Sequence, residues 1–167
     1  MKEPWVEQPL TEASFTQALI LFLNELRVAL TGAQLLVAFL LSVPFTEKFD
    51  RLNELDHHVY FVAFISALTA ASLLIAPSVY HRMHLHRTIV DPAKTLATFT
   101  RLAVTGSAFL ALAMTAASFL VTGLLYPRWA AMLVAAIAAA GFAWFWFGLP
   151  RLHHVLAKAE GRTNQGP

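Results

Sequence analysis

Cysteine is absent from the chain, which excludes disulfides, thiolate metal ligands and cysteine nucleophiles. Charge is scarce too: Asp, Glu, Lys and Arg make up 13% of residues, against about 25% in a soluble domain. The glycines are scattered, so no loop cradles a phosphate, and no serine stands in a nucleophile-elbow setting. These absences leave hydrolase, kinase and nucleotide chemistry without a footing. No enzymatic activity and no cofactor is expected.

What the chain does contain is apolar mass: 57% of its 167 residues are hydrophobic. That mass falls in long blocks rather than short alternating runs, which marks membrane spans instead of a soluble core. The blocks predict an all-α four-helix transmembrane bundle. A flexible tail is expected over 1–13, then a membrane domain over 14–158 with spans at about 28–43, 59–79, 102–125 and 129–149, and a disordered tail is expected over 159–167. Met1 to Thr11 is polar and does not read as a cleavable signal, so the first span is expected to direct insertion.

Helix 1 organises the sequence. Ser14 with Gln17 matches a capping box, and the helix should run to Val43, before Pro44. Helix 3 should start at Asp91-Pro92, an N-cap acid followed by proline in the first turn, and reach Leu125. Both are longer than the roughly 20 residues a bilayer needs, so both are expected to extend beyond it on the cytoplasmic side. Thr46 to Asp56 carries Phe45, Phe49, Leu52 and Leu55 at helical spacing among charges, which predicts an amphipathic helix lying on the opposite surface. Tyr126-Pro127-Arg128 predicts a tight turn.

Basic residues set the orientation. Lys2, Arg27, Arg82, Arg87, Lys94, Arg101, Arg151, Lys158 and Arg162 fall on the side of the termini, and Lys48, Arg51 and Arg128 on the other. By the positive-inside rule both termini are expected to be cytoplasmic. The partners expected are the lipid bilayer and a homo-oligomer, and the small-residue seams on spans 2, 3 and 4 point alternatively to a non-catalytic scaffold or assembly protein. The modest formal charge of +2, concentrated at span ends, suits headgroups and not nucleic acid.

Two groups could carry function. At about 100° per residue, Asn24, Arg27, Thr31, Gln34, Ala38 and Ser42 of helix 1 share an arc of roughly 80°. Such a stripe is expected to be covered by the other helices. With Glu25 at its mouth, the set Asn24, Glu25, Arg27, Thr31 and Gln34 could line an ion or small-solute route. The simpler reading has Gln34 hydrogen-bonding across to Thr115 or Ser118 and Arg27 snorkelling to phosphate. Against transport within one subunit, 28–43, 59–79, 102–125 and 130–149 contain no Asp, Glu, Lys, Arg or His. The second group is His81, His84 and His86 after span 2 with His153 and His154 after span 4. They could bind a metal. The simpler reading makes them interfacial neighbours of Arg82, Arg87 and Arg151, which contact lipid headgroups.

The run NELRVALTGAQLLVAFLLSVPF, Asn24 to Phe45, resembles a bacterial family of small four-span proteins catalogued as a domain of unknown function. VYFVAF (Val59 to Phe64) and APSVYHR (Ala76 to Arg82) fit the same pattern, and the likeness covers Ser14 to Pro150. Members are sometimes automatically labelled sodium:proton antiporter. The resemblance therefore implies a bacterial membrane protein with a link to transport. It marks Asn24, Glu25, Arg27, Gly32, Gln34, Pro44, His81 and Arg82 as candidates without assigned roles.

Overall fold

A computed structural model describes residues 12–83 and 92–148. Four helices account for nearly all of them: α1 (Glu12–Ser42), α2 (Glu54–Met83), α3 (Pro92–Leu125) and α4 (Arg128–Phe142). No strand occurs among the described residues. Each helix is long and apolar enough to cross a membrane, over Leu19–Phe45, Glu54–Tyr80, Lys94–Leu125 and Arg128–Phe145. With 31, 30 and 34 residues, α1, α2 and α3 measure about 46, 45 and 51 Å at 1.5 Å per residue. All three exceed a hydrocarbon core of about 30 Å. Beyond Phe142, α4 continues as a wider π turn over Ala143–Gly148.

The core follows one rule. On α2, Ala63, Ala67, Ala70, Leu74 and Pro77 are buried, at steps of four, three, four and three. On α3, Gly106, Leu110, Ala113, Ala117 and Leu120 are buried, at the same alternating steps. That spacing is the knobs-into-holes seam of helices crossing at about +20°. The residues are small because helices in lipid associate by close packing, without a hydrophobic drive between them. α1 joins this pair along Leu19, Leu26, Ala33 and Leu40, one contact every two turns. Leu26 and Ala33 meet Ala70, Leu74 and Leu110. Leu40 meets Ala63, Ala67, Ala113 and Ala117. Leu19 meets Phe99. α1 and α2 therefore run antiparallel, and α1 and α3 run parallel.

The bundle is open on one side. α3 packs on both α2 and α4, and α1 packs mainly on α2 and less on α3, whereas among the described residues α1 and α4 do not pack on each other. α4 rests on α3 through small residues. Ala131 is fully buried, and its Cβ would lie 3.8 Å from a Cβ placed at Gly123.

The connection between α1 and α2 departs from the sequence expectation. No amphipathic helix spans Thr46 to Asp56. Instead two 3₁₀ turns, Val43–Phe45 and Phe49–Arg51, lead straight into α2. Asn53 decides this: its Oδ1 accepts the Asp56 backbone N–H at 3.0 Å, capping the helix start. Glu54 and Asp56 then complement the positive end of the helix. Phe49 folds back edge-on against His57 and Tyr60, at centroid distances of 4.9 and 5.2 Å.

Pro44 has a second effect besides ending α1. It lacks the N–H that the Leu40 carbonyl would accept from four residues on. The Tyr60 hydroxyl donates to that carbonyl instead, at 3.0 Å. Tyr60→Phe should strand a carbonyl inside the bundle and lower stability by about 1 kcal/mol. Denaturation in mixed detergent micelles measures this, and an unchanged midpoint would show that the bond contributes nothing.

Candidate functional site

The polar stripe of helix 1 does not face the bundle. Asn24, Arg27, Thr31, Gln34, Ala38 and Ser42 are all exposed, which corrects the expectation that other helices cover them. The reason lies in α1 itself. Its buried line, Leu19 to Leu40, sits roughly 130° round the helix from the stripe at 100° per residue. The α2–α3 seam accepts alanine and leucine, so the apolar line turns inward and the stripe turns out. Glu25 is exposed as well.

The hydroxyls of this region are used locally. Thr31 donates to the Arg27 carbonyl at 2.9 Å and Ser42 to the Ala38 carbonyl at 2.9 Å. On α3, Thr115 donates to Ala111 and Ser118 to Met114, each at 2.8 Å. The expected bridge from Gln34 to Thr115 or Ser118 is therefore absent. The Gln34 carboxamide makes no hydrogen bond within the described residues.

Where α1 and α4 fail to meet, a groove runs over α3. One part, about 360 Å³, is lined by Leu36, Met114, Ala117, Ser118, Val121, Thr122 and Val134. A second part, about 260 Å³, shares Val121 and continues past Phe39, Ser42, Val43, Thr46, Leu124 and Leu125 to Lys48. It is open along its length and mostly apolar, so it suits a lipid chain or a helix better than a polar solute.

A third cluster, which sequence reasoning missed, joins the starts of α2 and α4. Arg128 Nη2 lies 3.4 Å from Asp56 Oδ1, and Arg128 Cζ lies over the Phe119 ring, 5.8 Å from its centroid. Asn53, Glu54, Leu55, His58 and Arg128 line a wide depression. His57 and His58 place Nδ1 at 3.0 and 2.7 Å from the carbonyls of Asn53 and Glu54, which leaves each Nε2 toward the outside. The signal for this cluster was the Asn53 cap and the arginine directly after Pro127. Half-exposed, this ion pair contributes at most about 1 kcal/mol, and its first role is to tie the α4 start to α2.

Of the histidine group, His81 lies with Arg82 in the last turn of α2. His84, His86, Arg87, Arg151, His153 and His154 lie outside the described residues. Among the described residues, no group of three or more His, Cys, Asp or Glu side chains could hold a metal ion.

Four helices long and apolar enough to cross a membrane make this a multi-pass membrane protein. Residues 15–150 match a family of unknown function, DUF6328, and the chain belongs to that family. No curated protein and no solved structure shows significant similarity to it.

Proposed function

We propose that the protein is a non-catalytic assembly protein of the membrane, which docks other transmembrane helices on the outer face of α1. The observation that carries this reading is the outward direction of the Asn24–Ser42 stripe. A polar face turned to hydrocarbon is costly, and a second helix with matching polar groups removes the cost. The open groove beside it extends the surface a partner would meet. Residues 28–43, 59–79, 102–125 and 130–149 hold no Asp, Glu, Lys, Arg or His, and the grooves open outward, which also favours docking over chemistry. The excess of basic residues toward the termini supports placing both ends of the chain in the cytoplasm.

Site-specific photo-crosslinking in native membranes tests this. Probes at Thr31, Gln34 and Ala38 should give adducts of discrete mass, and probes at Ile137 on the exposed face of α4 should not. A smear, or the same products from every position, would sink the reading.

A second reading, transport of an ion or small solute, is favoured by the continuity of Asn24, Arg27, Thr31 and Gln34 along about three turns of α1. Such a route would be enclosed only between copies. Flux in proteoliposomes under Na⁺, K⁺ and H⁺ gradients tests it: transport requires a gradient-dependent signal that Gln34→Leu reduces, and a flat response from folded protein rejects it.

A further inference from the structure

We infer that the helix docked on the outer face of α1 is α1 of a second copy, so that the protein forms a parallel two-fold dimer centred on Gln34. The inference rests on the docking reading above and names the partner it requires.

The outer residues Asn24, Arg27, Thr31, Gln34, Ala38 and Leu41 follow one another at steps of three, four, three, four and three, and all are exposed. This is the spacing with which α2 and α3 pack inside the fold. α1 therefore carries two seams, and the chain's own helices occupy only the inner one. A seam of this period fits a neighbouring helix at the left-handed crossing angle.

Depth selects the partner. The span of α1 covers Leu19–Phe45, so Gln34 sits about 3 Å from its centre at 1.5 Å per residue. Its carboxamide, unbonded within the described residues, has a carbonyl acceptor and an NH₂ donor. A different protein would have to present a polar group at that depth. A second copy inserted in the same direction does so automatically, since a two-fold axis along the membrane normal sets each residue beside its equivalent. Two Gln34 side chains then donate to and accept from each other. The neighbours suit close approach: Ala38 is small, and the Thr31 hydroxyl is already spent on the Arg27 carbonyl at 2.9 Å. Arg27 lies two turns toward the helix start, where its long stem carries the guanidinium out to the headgroups.

The absence of cysteine makes the test clean. Thr31→Cys and Ala38→Cys in the full chain, oxidised in membranes, should each give a disulfide-linked dimer. Phe61→Cys and Ile137→Cys, at positions 62% and 64% exposed on α2 and α4, should stay monomeric. In liposomes at graded dilution, Gln34→Leu should raise the dimer dissociation constant about tenfold, and Gln34→Asn should restore part of the affinity. Monomer stability should not move, because Gln34 touches nothing inside the fold. Equal cross-linking at the control positions, or a dissociation constant unmoved by Gln34→Leu, overturns the dimer. If purified protein stays monomeric while photo-probes at Gln34 still give a discrete foreign adduct, the docking reading stands and only the choice of partner fails. If neither self nor foreign adduct forms, both fail.

Discussion

Gly106→Leu is expected to break the bundle apart at the α2–α3 contact. A Cβ at Gly106 would meet Leu74 Cγ at 3.1 Å and both Leu73 Cβ and Leu74 Cδ2 at 3.2 Å. None of these neighbours has room to retreat. Leu74 is 1% exposed and wedged among Leu26, Ala33, Ala70 and Leu110, and a Cβ is fixed to its backbone. Overpacking a tight core costs about 1–3 kcal/mol, and more where nothing yields. A leucine here should reach the top of that range, with alanine at the lower end. Gly32→Leu is the control, since nothing lies within 4 Å of a Cβ at that position. Loss of helicity against SDS in mixed micelles measures both. If the two leucine variants unfold together, α2 and α3 do not approach as closely as described.

The complementary change is Leu74→Ala. In a soluble core such a truncation costs about 2–5 kcal/mol, combining lost transfer energy with a cavity. In a bilayer the unpacked side chain rests in hydrocarbon, so the transfer part largely vanishes and the lost packing remains. A cost of about 1–3 kcal/mol is expected. The two sites should also couple. With Leu74 shortened, two of the three closest atoms facing a Gly106 Cβ are gone, and only Leu73 stays near. Gly106→Ala should thus cost less in the Leu74→Ala background than alone, by about 0.5 kcal/mol or more. Strict additivity in this double-mutant cycle would show that the two residues do not share a contact.

The elements with local signals were legible in the sequence. Asp91-Pro92 located the start of α3, Pro44 the end of α1, and Pro127 the last turn, because proline acts on its own backbone whatever surrounds it. The error over Thr46 to Asp56 came from weighing the spacing of Phe49, Leu52 and Leu55 above the capping signal of Asn53. Phe49 is turned instead toward His57 and Tyr60, a contact no periodicity reveals. The polar stripe was visible as a stripe, but its direction was not. α1 holds two seams, and the small residues of α2 and α3 decide which one goes inside. Gly106 passed unnoticed among scattered glycines, although it lies at the same 3–4 register as Leu110 and Ala113.

The unequal attachment of α4 has a consequence for how the chain is made. α1 leaves the ribosome before α2 and α3, and its Leu26, Ala33 and Leu40 find their α2 partners as soon as α2 enters the bilayer, while the clusters close only when α3 follows. Once α3 is in place, three helices complete every described core cluster, and α4 adds its packing on α3 and the Arg128–Asp56 pair to α2. Insertion thus reaches a settled three-helix intermediate before α4 enters. α4 then joins that unit as a late strut.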